Sequence, residues 1–266
     1  MTMSSTQVLT QTQHLHEPVI GKPVDLSGCA PDDRTSRASR LRLVQEVEKP
    51  GILRTRPYRT TKSHLVKRTL DYLLGIPLFL LSLPILAFFV GWIKIVSPGP
   101  AIFVQARDGR GGKRIGVLKL RTMYLDSEAL LQRHLAENPL ARAEWHRYYK
   151  LRNDPRVLPG IGRLLRKTSL DELPQLWNVL RGEMTLVGPR PFPDYHLINF
   201  PVEFLAFRHS VLPGMTGLWQ VRGRSNGGLK VQKKLDSYYI RNWSVWMDFA
   251  ILYNTFWVVL KGKGAY

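Results

Sequence analysis

The stretch Tyr72–Ile93, YLLGIPLFLLSLPILAFFVGWI, decides the fold because none of its side chains is charged. As a helix, its 22 residues extend about 33 Å at 1.5 Å per residue, which matches the roughly 30 Å hydrocarbon core of a bilayer. Pro77 and Pro84 lie inside it, and each removes a backbone donor and crowds the preceding turn. We therefore predict a membrane helix that bends or breaks within the bilayer.

Basic residues flank this segment on both sides. Those close before it are Arg54, Arg56, Arg59, Lys62, Lys67 and Arg68, and those that follow are Lys94, Arg107, Arg110, Lys113 and Arg114. Lys/Arg-rich flanks stay in the cytoplasm, so two basic flanks indicate a re-entrant helix that turns back near Pro84 and leaves through the leaflet it entered. The alternative is a proline-kinked single-pass anchor, which places the two flanks on opposite sides of the membrane.

The composition of the whole chain narrows the possible partners. It has 266 residues and carries 39 Lys and Arg against 20 Asp and Glu, a formal charge of +19. Such an excess favours nucleic acid, anionic lipid or a phosphate-rich substrate. Cys29 is the only cysteine, which excludes an intramolecular disulfide, a cysteine zinc site and an iron–sulfur cluster.

Three regions follow from these patterns. Residues 1–63 lack hydrophobic periodicity and the apolar run of a secretory signal, so we predict a disordered cytoplasmic tail. Residues 64–98 form the predicted re-entrant membrane helix, helix-break-helix in form. Residues 99–266 form a cytoplasmic domain that lies at the membrane. The predicted fold class is α+β and mainly α-helical.

Within the third region the sequence predicts a small β-hairpin and several helices. Residues 101–105 and 114–120 are the expected strands, joined by a turn at Gly109–Gly112. Apolar residues recur at helical spacing over residues 127–150 and again over 162–167.

The apolar run at residues 249–260 is too short to cross a bilayer. Amphipathic rings and nearby lysines favour a helix in the membrane interface: Trp243, Trp246, Tyr253, Trp257, Lys261 and Lys263. A buried core helix with ordinary aromatic packing is the alternative.

Asp171 and Glu172 are the candidate chemical groups, at the start of a predicted helix that Gly182 ends. Ser169 and Glu172 fit a capping box, whereas Pro174 in the first turn favours Asp171 as the cap, and both boundaries stay open. At either boundary the helix end favours anions, so a phosphate would meet an ionised Asp171. We expect one carboxylate to attack phosphorus while the other binds a hard cation or handles a proton. Mg²⁺ suits Asp171 and Glu172 because it prefers carboxylate and phosphate oxygens.

Candidate phosphate ligands follow along the chain. Gly188–Pro191 presents Arg190 on a stiff turn, and Pro213–Gly217 offers backbone amides and the Thr216 hydroxyl. Residues 219–224 add Arg222 and Arg224. Turns of this kind are usually structural, so the inference depends on their occurring together.

Seven motifs occur in order over about residues 64–266. They are Lys67-Arg68 with Asp71, Lys119–Met123 (KLRTM), Asp154–Arg156 (DPR), Ser169–Met184 (SLDELPQLWNVLRGEM), Gly188–Pro191 (GPRP), Pro213–Gly217 (PGMTG), and Tyr238-Tyr239 before Asp248. Together they resemble the bacterial sugar transferase family, the monotopic polyprenyl-phosphate hexose-1-phosphate transferases. The block from Ser169 to Met184 is the most specific of them.

The resemblance implies a reaction and a location. It implies transfer of hexose 1-phosphate from a UDP-sugar to undecaprenyl phosphate with release of UMP, the first membrane step of exopolysaccharide assembly. The expected location is the cytoplasmic face of the bacterial inner membrane. A short N-terminus, the stretch from Asn138 to Trp145 and the ending Gly264-Ala265-Tyr266 look most like the initiating enzymes of succinoglycan-type exopolysaccharides, which implies galactose or glucose.

The resemblance also implies roles for particular residues. Asp171 matches the aspartate nucleophile that forms a covalent phosphosugar intermediate, and Glu172 matches its Mg²⁺-associated partner. Arg190 falls on the phosphate- and nucleotide-binding motif, and Arg121 on a basic motif position near the active site. Pro84 matches the proline of the re-entrant helix, while the family's neighbouring serine falls at Leu83, one position after Ser82.

A non-catalytic alternative is a basic membrane-surface protein that binds anionic lipid or nucleic acid. It explains the charge and leaves Asp171 and Glu172 without a role. The sequence contains no recognisable nucleic-acid-binding module or zinc-ligand spacing, so we expect no nucleic-acid partner. The partners that the resemblance implies are a UDP-hexose, undecaprenyl phosphate and membrane lipid.

Overall fold

A computed structural model describes residues 61–148, 151–222 and 228–260. The predicted tail lies outside them, except for its last three residues, which begin the first helix. The described chain is mainly helical with two small two-stranded sheets, which agrees with the predicted α+β class.

Helix α1 extends over Thr61–Val96 and contains the apolar segment. It is the one described helix long and apolar enough to cross a membrane, by length and composition. The predicted break at Pro84 is not seen, since α1 is one continuous helix of 36 residues with both prolines inside it, whereas the predicted bend there stays a prediction. The Ser82 hydroxyl donates to the Phe79 carbonyl at 2.7 Å, so this buried polar side chain is paired within the helix.

One stripe of α1 is buried and the rest is exposed. The buried positions recur at helical spacing: Lys67, Asp71, Gly75, Ser82, Phe89 and Ile93. Large apolar side chains on the other faces are exposed, including Leu73, Leu81 and Ile95. Helix α1 therefore packs on the domain through a narrow face, and its wider apolar surface points away from the domain.

The predicted β-hairpin is confirmed. Strand β1 (Ile102–Asp108) pairs antiparallel with β2 (Arg114–Leu120), with Ile102 opposite Leu120 and Asp108 opposite Arg114. The connecting turn contains Gly111 at φ 68°, a conformation that favours glycine. Strand β2 has the predicted bounds, whereas β1 begins one residue later than predicted and extends three residues further towards the turn.

The predicted helix over residues 127–150 is two helices, α2 (Ser127–Glu137) and α3 (Pro139–Tyr148). Pro139 begins α3, where a missing amide costs nothing, and the Asn138 side chain accepts a hydrogen bond from the Ala141 amide at 3.0 Å. The second predicted helix is confirmed as α4, Ile161–Thr168.

The remaining elements complete the domain. They are α5 (Gln175–Leu180), β3 (Thr185–Val187), α6 (Asp194–Leu197), α7 (Val202–Arg208), β4 (Gly214–Thr216), α8 (Leu218–Arg222), α9 (Gly228–Asn242) and α10 (Val245–Leu260). Strands β3 and β4 are parallel, with Thr185 opposite Gly214.

Two hydrophobic cores meet α1. Leu74 and Phe79, from its first half, pack against the core that contains Val179. Phe89 and Ile93, from its second half, belong to the core that contains Leu165. Both halves of the apolar helix are thus anchored on the same domain.

Helix α10 confirms the predicted apolar helix, whereas its place in the membrane interface stays a prediction. Ile251 is buried in the first core, while Trp246, Tyr253 and Trp257 are exposed. Trp243 differs from the expectation, since it packs against the core and its indole donates to Asp248 at 3.0 Å. Lys261 and Lys263 lie outside the described residues.

Candidate active site

Asp171 and Glu172 lie in a single 3-10 turn, Leu170–Glu172, between α4 and α5. The predicted capping box is wrong, because Ser169 makes no capping hydrogen bond. It ends α4 in the left-handed conformation, with φ 58° and its amide donating to the Arg166 carbonyl. Asp171 is not the cap either, since Pro174 precedes α5.

Glu172 is held by two cations. Its Oε1 accepts from the Lys119 ammonium at 2.9 Å and from the Arg190 guanidinium at 2.8 Å. Burial alone would raise the pKa of Glu172, but the charges of Arg190 and Lys119 outweigh it and hold the pKa well below its ordinary value. Glu172 is therefore a permanent carboxylate whose charge is already compensated.

Asp171 has the opposite environment. Burial, followed by the neighbouring charge of Glu172, raises its pKa from 3.8 to about 6, against the attraction of Lys119, Arg166 and Arg190. Within the described part of the chain, no side chain forms a hydrogen bond or ion pair with its carboxylate. Asp171 is thus a partly buried acid, mostly ionised at neutral pH, with its oxygens available to a ligand.

Two of the cations near Asp171 are not among the predicted site residues. Lys119 lies on β2, inside the KLRTM motif, and Arg166 lies in the last turn of α4, where its Nε donates to the Thr122 hydroxyl at 3.0 Å. Each is a basic residue in a segment that the sequence analysis had singled out, namely the KLRTM motif and the predicted helix over residues 162–167. That combination is the signal that could have identified them.

Asn178 fixes the distance between the carboxylates and the hairpin. From α5 its side-chain oxygen accepts from the Leu118 amide at 3.0 Å, and its nitrogen donates to the Gly116 carbonyl at 2.8 Å. A second hydrogen bond from that nitrogen reaches Glu183 at 2.7 Å. Because these bonds tie α5 to β2, they place Lys119 opposite Glu172.

The two predicted anion-binding turns differ in what they do. The turn at Gly188–Pro191 brings Arg190 to Glu172, as expected. The turn at residues 213–217 packs against it instead, with the Gly214 amide donating to Pro189 at 2.9 Å. Its Thr216 hydroxyl is paired with Thr255 at 2.7 Å, so neither of these groups is free for a ligand.

The other predicted ligands lie apart from these contacts. Arg121 is buried and donates to the carbonyls of Ser97 and Pro98, where α1 ends, so in this structure it joins the helix to the hairpin. Arg222 is exposed at the end of α8, and Arg224 lies outside the described residues. The structure therefore brings together Asp171, Glu172 and Arg190.

Metal ligands are few. Among residues 61–148, 151–222 and 228–260, no group of three or more His, Cys, Asp or Glu side chains is arranged to hold a metal ion. The Asp171–Glu172 pair suits a cation whose other ligands come from a substrate or from water, which is how Mg²⁺ is commonly bound beside phosphates.

Comparison with known proteins gives a consistent result. The family model described as bacterial sugar transferase matches residues 62–262. An undecaprenyl-phosphate galactose phosphotransferase of Salmonella typhimurium is 44% identical over 205 residues, which is 77% of this chain and 42% of that protein. The chain thus spans less than half the length of this relative.

Two further relatives are covered over more of their length. A UDP-glucose:undecaprenyl-phosphate glucose-1-phosphate transferase of Caulobacter vibrioides is 41% identical over 211 residues, 76% of this chain and 72% of that protein. The exopolysaccharide production protein ExoY of Sinorhizobium fredii is 37% identical over 202 residues, 75% of this chain and 88% of that protein.

Proposed function

Because the chain belongs to the bacterial sugar transferase family, we propose that it transfers hexose 1-phosphate from a UDP-sugar to undecaprenyl phosphate and releases UMP. The names of its relatives support the acceptor, and those names divide between galactose and glucose. The similarity to ExoY supports a role at the start of exopolysaccharide synthesis.

The observation that carries the proposal is the difference in surroundings between the two adjacent carboxylates, Asp171 and Glu172. Glu172 is neutralised by Lys119 and Arg190, whereas Asp171 has free oxygens beside the same cations. A buried carboxylate with a raised pKa is poorly solvated and therefore a better nucleophile than one in water. The surrounding cations favour the approach of a doubly charged diphosphate.

We propose two displacement steps at one phosphorus atom. In the first, an oxygen of Asp171 attacks the phosphorus that carries the sugar, and the bond from that phosphorus to the bridging oxygen breaks, so that UMP leaves with the electron pair. In the second, a phosphate oxygen of the polyprenyl lipid attacks the same phosphorus, and the Asp171 carboxylate is released. Arg190 and Lys119 stabilise the negative charge that accumulates on the phosphoryl oxygens.

Mg²⁺ remains part of the proposal. Asp171 and Glu172 would hold it together with oxygens of the substrate, since Mg²⁺ needs only one or two protein carboxylates in such sites. It would supply neutralisation of the diphosphate charge. Glu172 Oε1 already accepts from two cations, so its other carboxylate oxygen, together with the Asp171 oxygen that does not attack phosphorus, would be the ligands.

The deciding experiment measures UMP release from a panel of UDP-sugars with undecaprenyl phosphate and Mg²⁺. We expect wild type to turn over UDP-galactose or UDP-glucose, and Asp171→Asn and Glu172→Gln to lose most activity. Glu203→Gln, an exposed carboxylate on α7, is the matched control and should retain it. Intact-mass analysis should detect a phosphosugar adduct only where Asp171 is present. Full turnover by Asp171→Asn would exclude the covalent route.

We also propose that α1 is re-entrant, on the cytoplasmic face of the inner membrane. Phe79 packs against Trp177 with ring centroids 5.5 Å apart, and Leu86 already packs against the second core. The six residues between Phe79 and Leu86 extend roughly 9 Å as a helix, whereas crossing a hydrocarbon core needs roughly 30 Å. The helix therefore cannot cross the membrane between these two contacts. Contacts of both halves with one domain support a helix whose ends stay on one side.

Cysteine labelling tests this topology. Thr60→Cys and Arg110→Cys, each in a Cys29→Ser background, should react with a membrane-impermeant reagent from the same side. Glu203→Cys marks the side of the domain. Labelling of the first two sites from opposite faces would establish a single-pass anchor.

A further inference from the structure

A buried charge cluster lies behind the candidate active site, outside the groups that the proposed mechanism uses. We infer that Arg208, held between Asp108 and Asp236, is a positioning residue that orients Arg190 towards Glu172. The inference rests on the proposed function, because it assigns Arg208 an effect on that same site.

The contacts of Arg208 use three separate directions of its guanidinium. Nη1 donates to Asp108 at 2.9 Å, Nε donates to Asp236 at 3.1 Å, and Nη2 donates to the backbone carbonyl of Arg190. The guanidinium also stacks on the ring of Phe192, 3.6 Å from the centroid. All three charged side chains are nearly inaccessible, with 2–4% of each exposed.

This cluster holds the backbone on both sides of Pro191. Arg208 binds the carbonyl of Arg190, while the side chain of Asp108 accepts from the Phe192 amide. The amide of Asp108 in turn donates to the Phe192 carbonyl at 3.1 Å. Because two prolines also restrict this turn, the Cα position of Arg190 is fixed relative to β1 and α7.

A fixed backbone matters because the Arg190 side chain is long and partly exposed. The side chain is 29% exposed, and its guanidinium reaches Glu172 at 2.8 Å from the end of a flexible stem. Misplacement of a charged group by about 1 Å is enough to reduce catalysis substantially. The contacts of Arg208 and Asp108 with the backbone on both sides of Pro191 therefore help to hold the Arg190 side chain in position.

The cluster is poorly explained as a device for stability alone. Burying charges in this way is often no more stabilising than well-packed apolar side chains of the same volume. Arginine suits the position because its planar fork serves both carboxylates and a carbonyl at once, which a lysine ammonium cannot do. Arg208→Lys therefore keeps the charge and removes the geometry.

The first test does not depend on turnover. Purified full-length protein is treated with phenylglyoxal, and modification of Arg190 is followed by mass spectrometry. Arg156, paired with Asp154 at 2.7 Å, provides an internal reference. We expect the rate at Arg190 relative to Arg156 to rise several-fold in Arg208→Lys. An unchanged ratio would overturn the inference, including one that results from an equal increase at both arginines.

Ile240→Val supplies the control for loss of stability. Ile240 is fully buried on α9, one turn from Asp236, and is not part of the charge cluster. The control should leave the ratio of the two rates unchanged. If Arg208→Lys does not fold, Asp236→Asn removes one charge at constant shape and should change the ratio in the same direction.

The second test is a double-mutant cycle on UMP release. We expect Arg208→Lys to lower kcat/KM by roughly 10- to 100-fold in the wild-type background and to have little further effect in Arg190→Lys. Equal losses in both backgrounds would show that Arg208 acts independently of Arg190. Absence of turnover in the wild type would refute the proposed function, whereas the labelling ratio would still decide the positioning role.

Discussion

Replacing the proposed nucleophile should make the protein more stable. The pKa of Asp171 is raised from 3.8 to about 6 in the folded protein, first by burial and then by Glu172. Each tenfold change in proton affinity corresponds to about 1.4 kcal/mol, so holding this carboxylate ionised costs the fold roughly 3 kcal/mol at neutral pH. Asp171→Asn removes that cost while keeping the shape of the side chain.

The pH dependence of this effect has a defined sign. A group with a raised folded pKa contributes stability below its unfolded pKa of 3.8 and loses that contribution as the pH rises through about 6. The gap between Asp171→Asn and wild type should therefore be full above pH 7 and nearly closed at pH 4. An increase of roughly 3 kcal/mol corresponds to an increase in Tm of roughly 6–12 °C for a domain of this size, as an upper bound.

The assay is thermal unfolding in detergent, followed by tryptophan fluorescence at pH 7.5 and pH 4. Glu172→Gln is the informative companion, because the pKa of Glu172 is held low by Arg190 and Lys119. Its charge stabilises the fold, so its removal should lower Tm at pH 7.5. Adjacent carboxylates would then change stability in opposite directions. A lower Tm for Asp171→Asn at pH 7.5, or a gap that persists unchanged at pH 4, would refute this reasoning.

Three further predictions concern activity, packing and the anchoring of α1. Since the nucleophile must be ionised, kcat/KM should fall on the acid side with a midpoint near the Asp171 pKa of about 6, and a rate that is flat between pH 5 and pH 7 would contradict this. Gly214→Ala should prevent correct folding, because a Cβ there would lie 2.1 Å from the Gly188 backbone nitrogen. The control Gly91→Ala adds a Cβ that meets nothing within 4 Å, so this variant should unfold at or above the wild-type temperature. Lys67→Met should lower the free energy of unfolding by about 3–5 kcal/mol, because it leaves Asp248 buried without its ammonium partner. The double variant with Asp248→Asn should recover most of that loss in denaturant titration, and no recovery would mean that the pair itself is not responsible.

Local features of the fold could be predicted from the sequence because local rules decide them. The hairpin follows from β-branched strands around a glycine cluster, and the structure has it at nearly the expected bounds. The helix boundary at Asn138-Pro139 was also present in the sequence as a cap followed by proline, although the periodicity on both sides masked it.

The site was predictable only in part, since its members come from distant positions. The carboxylates and Arg190 share recognisable motifs, and the structure joins them. Lys119 lies 53 residues from Glu172, and its contact depends on Asn178 tying α5 to β2. Hydrophobic periodicity within β2 or around Glu172 gives no information about a contact between the two segments. The capping box failed for a related reason, because the preceding helix ends at Ser169 in the left-handed conformation, and the spacing rule ignores that conformation.

The polar residues inside the apolar helix explain how α1 keeps its place. Lys67 pairs with Asp248 at 2.5 Å, and Asp71 accepts hydrogen bonds from Thr185 and from the Leu186 amide at 2.8 and 2.9 Å. Apolar contacts tolerate small shifts, whereas a slide of one turn would leave both charges buried without partners, at a cost of several kcal/mol. The same Asp248 belongs to α10, so these contacts fix the two apolar helices relative to each other and to β3, the strand that leads into the Arg190 turn. The position of the exposed apolar surface of α1 relative to the carboxylate pair is therefore fixed by a few buried polar contacts as well as by hydrophobic packing.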